Sequence, residues 1–257
     1  MAATGVKPFQ LRGRFSADSE WKSWTDRILL IGGTVLKEAG IFDVVRSFRE
    51  TVIFSDEAFM AMLESFLPQT NTFVVTNGEI GFSLKELSAI TGLPILGKLY
   101  EEFMPIDSVL EKQSEEFRLL YFQLVAFYDF LKEKEGSNVR SSSWKSFGSS
   151  FLNFFESGES SDSVSREDRK KTSTMKEELR GFFASTAAIC SDIALRRDLA
   201  IFLTYWLGEV VFAGGDGTHI RPHCIFPACQ MAFGERLALV PALYSYLCTE
   251  LDRKSVV

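Results

Sequence analysis

Two histidines and two cysteines within one short stretch have side chains that could bind a transition metal. They are His219, His223, Cys224 and Cys229. Imidazole nitrogens and thiolates are the ligands of tetrahedral zinc sites, but the usual pair of cysteines two residues apart is missing from this stretch. His223 and Cys224 are neighbours and cannot easily both bind one ion, and a free cysteine is often a small buried apolar residue. These four residues are the candidate metal ligands, although their spacing favours no metal site.

A glycine-rich segment at residues 214–217, Gly-Gly-Asp-Gly, has the composition of a phosphate-binding turn. A phosphate loop also needs a following Lys-Ser or Lys-Thr and a preceding parallel-sheet strand, and the sequence has neither. The segment instead predicts a tight turn between Val210–Phe212 and Thr218–Ile220, which would form a small hairpin. We identify no complete set of catalytic residues, so the sequence predicts a protein that is not an enzyme and needs no cofactor.

Composition limits the other classes of function. The chain has 257 residues, 46% of them hydrophobic, and a formal net charge of −6. It can therefore build a globular core, whereas a strong sequence-independent grip on nucleic acid would need clustered Lys and Arg. The cysteines do not form a disulfide framework and the first residues lack the apolar core of a signal peptide, so we expect a reduced, intracellular compartment. Leu199–Ala213 is the most apolar run, but it is short and contains Glu209, so we expect no membrane span.

The clearest local pattern lies between Asn71 and Tyr100. Apolar residues flank Asn77-Gly78, a dipeptide that accepts the positive φ angles of a tight turn, and this predicts a short hairpin. A helix should follow it, because Ser83 and Glu86 have the spacing of a capping box. Gly92, with a proline two residues later, should end that helix.

The hairpin, the capped helix and the Gly-Leu-Pro exit resemble the plant mobile domain, a family of plant nuclear and transposon proteins that is also described as aminotransferase-like. The matching residues are Thr72, Phe73, Gly78, Glu79, Ser83, Leu84, Glu86, Gly92, Leu93, Pro94, Gly97 and Tyr100. A second block is similar to the family's C-terminal half and comprises Tyr205–Phe212, His219 and a final helix around Tyr244, Tyr246 and Leu247. Leu239-Val240 stands where the family usually has Trp-Gly, and Leu87 where it often has Val, so the chain resembles a divergent member.

The resemblance implies a function as well as a fold. It implies a non-catalytic nuclear protein-interaction module that acts in transposon silencing, gene-expression regulation or genome maintenance. Its implied partner is a plant serine/threonine phosphatase-like protein or the silencing machinery. The alternative is a transposon-derived protein that binds nucleic acid, and an enzyme ranks below both. An aminotransferase would need a lysine that forms a Schiff base with pyridoxal phosphate. Lys98 is the best candidate, but the chain lacks the alternating strand and helix pattern of such enzymes.

Periodicity along the rest of the chain predicts a mainly α-helical domain with one or two small β-hairpins. Residues 1–15 should form a flexible tail, residues 16–155 and 175–257 the two parts of one helical domain, and residues 156–174 a flexible Ser- and charge-rich insert. The first part should contain two helices or one kinked helix around Gly32-Gly33. A long helix should be capped by Ser108 with Glu111 and end at Gly136. In the second part, Asp198 should separate two helices.

Two exposed segments are candidate interaction sites. The basic run Arg166–Lys171 could be an import signal or a phosphorylation-tuned contact, or simply a solvated loop. The loop from Gly97 to Pro105 lies outside the helical stripes, and we predict that its apolar residues contact the partner. These residues are Leu99, Tyr100, Phe103 and Met104. The tryptophans have helical spacing, which favours core positions over stacking on bases.

Overall fold

A computed structural model of the chain describes residues 19–50, 55–136, 139–145, 190–213 and 219–255. The helices are α1 (Ser19–Glu38), α2 (Phe42–Ser47), α3 (Asp56–Glu64), α4 (Leu84–Thr91), α5 (Asp107–Leu110), α6 (Glu115–Glu135), α7 (Ser141–Lys145), α8 (Cys190–Trp206), α9 (Ile225–Ala232) and α10 (Leu239–Ser255). The strands are β1 (Phe66–Leu67), β2 (Thr72–Val75), β3 (Gly78–Ile80), β4 (Lys98–Leu99) and β5 (Leu237–Ala238). The predicted class, mainly α with small β elements, is confirmed.

Helix α1 runs unbroken through Gly32-Gly33, so of the two predicted alternatives the pair of separate helices is wrong and the single helix is confirmed. Gly32 is buried because α1 passes close to α8: a Cβ built on Gly32 would lie 3.2 Å from a methyl carbon of Leu199. The glycine therefore serves close helix packing. Trp21 fixes the start of the same helix, since its indole nitrogen donates to the carbonyl of Phe48 (2.8 Å) after α2.

A small antiparallel sheet in the order β1–β2–β3 contains the predicted hairpin. Val75 pairs with Gly78, so Thr76 and Asn77 form the two-residue turn. Of the predicted Asn77-Gly78 pair only Gly78 has a positive φ, at +141°. The additional strand β1, Phe66–Leu67, directly follows α3, which is capped by Ser55 and ends at Glu64.

Helix α4 has the predicted ends. The Ser83 hydroxyl accepts from the Glu86 amide (3.1 Å), and the Glu86 carboxylate accepts from the Ser83 amide (2.8 Å). This reciprocal pair satisfies two amides that the first helical turn leaves free. Gly92 closes the helix in the left-handed conformation at φ +73°.

The predicted cap of the long helix is wrong in position. Ser114, rather than Ser108, caps α6 by accepting from the Phe117 amide at 3.2 Å. Residues from Asp107 form the separate single-turn helix α5. The predicted end of α6 at Gly136 is confirmed, with Lys132 and Lys134 in the last turn.

Helix α8 is the centre of the core and contacts α1, α6, α7 and α9. Every residue from Leu199 to Leu207 is buried, as its apolar sequence predicts. Asp198 does not divide the helix, which continues through it. Beyond Trp206 the chain forms a π-helical turn, Leu207–Val211. This turn contradicts the predicted second hairpin, because Val210 and Val211 are helical and His219 bridges to Arg140 instead.

The C-terminal elements return to the hairpin region. A 3₁₀ turn, Pro222–Cys224, leads into α9, where Pro227 takes a first-turn position that needs no amide. Pro241 likewise lies in the first turn of α10. Strand β5 pairs in parallel with β4, and α10 packs against α3, α4 and β1.

Some predictions fall outside the described residues. The tail at residues 1–15, the insert at 156–174 and the basic run Arg166–Lys171 are among them. Within the described ranges, no helix is both long enough and apolar enough to cross a membrane.

Candidate functional site

Exposed apolar side chains are concentrated on one part of the described chain. Of the thirteen large apolar residues that are exposed in the described ranges, eleven lie between Met60 and Ile106. The other two are Leu30 on α1 and Phe122 on α6. Scattered exposed apolar residues are normal on a protein surface, but concentration on one segment marks an interaction surface. The segment from α3 to α5 is therefore the candidate site.

Three of these residues form a continuous apolar surface on the hairpin, which we call the hairpin patch: Val75, Ile80 and Phe82. Ile80 pairs directly with buried Phe73, and the Phe82 ring lies 5.6 Å from the Phe73 ring. Val75 follows Phe73 by two residues and so shares its face. The exposed fractions are 40%, 57% and 40% for Val75, Ile80 and Phe82. On this face of the sheet the side chain of Phe73 is buried, whereas the three side chains of the hairpin patch are exposed to solvent.

The surroundings of the hairpin patch are acidic. Residues 55–97 contain five carboxylates, and Lys85 is their only cationic residue, which gives the segment a net charge of −4. Glu57, Glu64, Glu79 and Glu86 are all exposed. The segment thus accounts for most of the formal charge of −6 carried by the whole chain. Such a surface attracts cationic partners and repels phosphates.

The loop that follows β4 divides into exposed and packed residues. Leu99 is 70% exposed and Met104 is 42% exposed, in agreement with a place at the surface. Tyr100 is buried and stacks on Phe212 with ring centroids 4.7 Å apart. Phe103 is half-buried, with its ring 5.2 Å from that of Phe226. The expectation that all four residues face a partner is wrong for Tyr100, because its ring is part of the core, while Phe103 packs on the core and stays partly exposed.

A cleft of about 490 Å³ lies between this loop and α10. At its floor, the carboxylate of Glu102 accepts from the guanidinium of Arg221 and from the Tyr100 hydroxyl, the latter at 2.8 Å. Arg221 also donates to the carbonyl of Phe212 at 2.7 Å. The remaining walls are mostly apolar and include Leu99 and Tyr246. The polar groups of the floor satisfy one another, so the network fastens the loop to the C-terminal half.

The phenols and the thiol beside this cleft are neutral near pH 7. Burial raises the pKa of the Tyr100 hydroxyl far above its usual value, and burial also raises the pKa of the Cys224 thiol to about 12. The pKa of Tyr246 is raised to about 12, again mainly by burial. A protonated thiol is a poor nucleophile, and a protonated phenol donates hydrogen bonds without acting as a base. These neutral phenol and thiol groups are therefore suited to a structural role.

The four candidate metal ligands do not converge. Cys224 and Cys229 are buried in the core, and burial raises the pKa of Cys229 as well. His223 is exposed, while His219 is half-buried in its bridge to Arg140. Across the described ranges, no three side chains of His, Cys, Asp or Glu are grouped so that they could hold a metal ion. Lys98, the candidate Schiff-base lysine, is instead paired with Glu235 at 2.6 Å.

The motif residues behind the family resemblance are used by the fold itself. Thr72 donates to Glu79 across the hairpin at 2.6 Å, and Ser83 caps α4. The carbonyl of Pro94 accepts from the amide of Val240 at 3.1 Å, which ties the exit of α4 to the start of α10. Gly97 allows the chain to pass directly against Arg236. The motif residues, which we call the family signature, therefore join the hairpin and helix to the C-terminal half. The exposed apolar residues between them are available for contact with a partner.

Sequence reasoning missed two features of this surface. The ion pair of Glu102 with Arg221 joins residues 119 positions apart, and no local pattern signals such a pair. The hairpin patch could have been found from alternation, because Ile80 and Phe82 occupy alternate positions beside an acidic residue.

Comparison with known proteins supports the resemblance noted from the sequence. A family model described as plant mobile domain matches residues 40–256, which is most of the chain. No curated protein and no solved structure matched the chain.

Proposed function

Because the chain belongs to the plant mobile domain family, we propose that it is a non-catalytic nuclear protein-interaction module. We propose further that it acts in transposon silencing, gene-expression regulation or genome maintenance. Its partner is a plant serine/threonine phosphatase-like protein or a component of the silencing machinery.

One observation carries this proposal: among the residues that the structure describes, eleven of the thirteen exposed large apolar side chains lie on the segment from Met60 to Ile106 that holds the family signature. Exposed apolar surface of this kind costs solubility unless a partner covers it. The signature residues themselves are used in turns, caps and close packing, so the intervening apolar side chains remain to make contact. A binding surface built on a rigid hairpin and helix is typical of an interaction module.

The acidic charge favours a protein over a nucleic acid as partner. Binding to phosphates draws its strength from clustered cations, and residues 55–97 carry a net charge of −4. A transposon-derived nucleic-acid-binding protein is the alternative function. It would have to use a different surface from the one described above.

Three measurements test the proposal. A fluorescent fusion of the chain should accumulate in plant nuclei, and affinity capture from those nuclei with quantitative mass spectrometry should enrich the phosphatase-like protein or silencing factors. The purified chain should bind duplex DNA only weakly and without selectivity. Exclusion from the nucleus, or nanomolar DNA binding that weakens steeply with salt, would overturn the proposal in favour of another function.

A further inference from the structure

We propose that the outer edge of β3, together with the hairpin patch, binds an extended segment of a partner protein in which large apolar residues alternate with Lys or Arg. The segment adds a strand to the sheet next to β3. This inference rests on the proposed function, because it specifies how an interaction module of this family engages its partner.

The backbone of β3 presents hydrogen-bonding groups on its open side. The amide of Val74 donates to the carbonyl of Ser65 at 2.8 Å, on the β1 side of the sheet. Val74 and its partner Glu79 are therefore a non-hydrogen-bonded pair, and the amide and carbonyl of Glu79 point away from β2. In the described part of the chain, no strand lies beyond β3. An open edge with outward-pointing groups is the template on which extended peptides add a strand.

Side chains on the two faces of β3 determine which sequence would fit. Ile80 and Phe82 project from the face of the hairpin patch, while Glu79 projects from the opposite face. An added strand places alternate residues on these two faces. The residues beside Ile80 and Phe82 should thus be apolar, and the residue beside Glu79 should be cationic. Alternation of the two types follows from the geometry of the pleat.

The charge on Glu79 lacks a cationic partner among the described ion pairs. Its carboxylate accepts hydrogen bonds from the Thr72 hydroxyl at 2.6 Å and from the Thr70 hydroxyl at 3.1 Å. Hydroxyls orient a carboxylate but do not neutralise it. With the net charge of −4 over residues 55–97, this favours a partner segment that brings Lys or Arg.

A second copy of the chain fits this edge less well than a basic segment. If β3 paired antiparallel with β3 of another copy, the Glu79 side chains of the two copies would lie close together across the paired strands. Like charges that meet across strands are destabilising. The acidic segments around the two edges would also repel each other.

The test uses the whole purified chain and a fluorescein-labelled probe peptide, acetyl-Lys-Val-Lys-Val-Lys-Val-Lys-amide. Three matched peptides serve as controls: one with Glu in place of every Lys, one with the same composition in two blocks, and one with N-methyl groups on every backbone nitrogen. Fluorescence anisotropy at low and high salt should show binding of the alternating basic peptide alone. Hydrogen exchange should show new protection at the Glu79 amide, while the Ile80 amide, which faces β2, should be unchanged.

Two variants locate the site. Ile80→Lys places a charge on the hairpin patch and on the strand edge, and it should weaken peptide binding by about tenfold or more. Leu30→Lys is the matched control, because Leu30 is 85% exposed on α1, away from the hairpin, and it should bind as the wild type does. Glu79→Gln keeps an acceptor for the threonines and should weaken binding by about threefold, with a smaller salt dependence.

Several outcomes would overturn the inference. Equal binding of the N-methylated peptide by the wild type would exclude strand addition, and this comparison needs no variant to fold. Equal binding by wild type and Ile80→Lys, or no binding of the basic peptide, would exclude the site. Dimerisation of the wild type that Ile80→Lys abolishes would assign the edge to a second copy. If peptide binding fails while capture from plant nuclei succeeds, the proposed function stands and only this docking mode falls.

Discussion

Gly97 and Arg236 lie against each other with no room for a side chain between them. A Cβ built on Gly97 would be 2.4 Å from the carbonyl oxygen of Arg236. The same carbonyl accepts from the Lys98 amide at 2.8 Å, which begins the pairing of β4 with β5. The glycine is thus needed because two stretches of backbone meet at this point.

Gly97→Ala should therefore separate β4 from β5 and lower the free energy of unfolding by about 1–3 kcal/mol. Gly33→Ala is the matched control, since Gly33 is inside α1 and a Cβ there would meet only a ring carbon of Phe42 at 3.4 Å. That change should be neutral or stabilise by up to about 1 kcal/mol. Urea denaturation of both variants measures the difference, and equal midpoints would contradict the close approach.

The loop after β4 should separate into structural and surface residues. Tyr100→Ala and Phe103→Ala each remove a ring that packs on another ring, so each should cost about 3 kcal/mol, somewhat less for the half-buried Phe103. Leu99→Ala and Met104→Ala change exposed side chains and should stay within about 0.5 kcal/mol of the wild type. Thermal melting compares the pairs. A stable Tyr100→Ala variant would mean that this ring is not part of the core.

The ion pair at the floor of the cleft should behave as a coupled unit. Arg221→Met leaves the half-buried Glu102 carboxylate with the Tyr100 hydroxyl as its remaining donor, and we expect a loss of about 1–3 kcal/mol. Adding Glu102→Gln removes the carboxylate charge that Arg221→Met leaves without its cationic partner. The double variant should therefore lose less unfolding free energy than the sum of the two single changes. Additive losses in the denaturation data would show that the pair is not coupled.

The capping box should make a contribution that depends on pH. Hydrogen bonds from the amide and hydroxyl of Ser83 hold the pKa of the Glu86 carboxyl below its ordinary value of 4.5. A depressed pKa in the folded state stabilises the protein above the unfolded-state pKa, and this stability is lost as the pH falls through the folded-state pKa. The wild type should therefore melt at a higher temperature than Glu86→Gln near neutral pH. The difference should shrink as the pH is lowered below about 4.5 and disappear in stronger acid. A difference that is constant with pH would mean that the charge plays no part.

Local signals explain which elements could be predicted from the sequence. Ser83 and Glu86 specify the start of α4 within one turn, and Gly92 specifies its end, so this helix is where the sequence places it. The apolar run after Asp198 is buried as expected for the same reason, since its composition leaves no exposed face. These local sequence signals do not depend on contacts with residues far away in the sequence.

Distant contacts decided the features that the sequence could not predict. Ser108 and Ser114 both stand before a helical pattern, but the start at Ser114 brings the Phe117 ring to within 5.5 Å of the Phe226 ring on α9. Tyr100 looks like a loop residue because its partners, Phe212 and Arg221, are more than a hundred positions away. The β-branched residues Val210 and Val211 favour a strand by propensity, yet packing of the core extends α8 into a π-helical turn through them.

Pairing of β4 with β5 also constrains how the chain can be made. The ion pair of Lys98 with Glu235 joins residues 137 positions apart. At ordinary rates of synthesis, about 7–27 s therefore pass between the addition of Lys98 to the nascent chain and the addition of Glu235. Throughout that interval α10, which covers α3, α4 and β1 in the finished fold, has not yet been synthesised. The surfaces of α3, α4 and β1 that α10 covers are therefore the points at which chaperones would be needed during translation. Transcripts that end before β5 should yield chains that aggregate or are degraded.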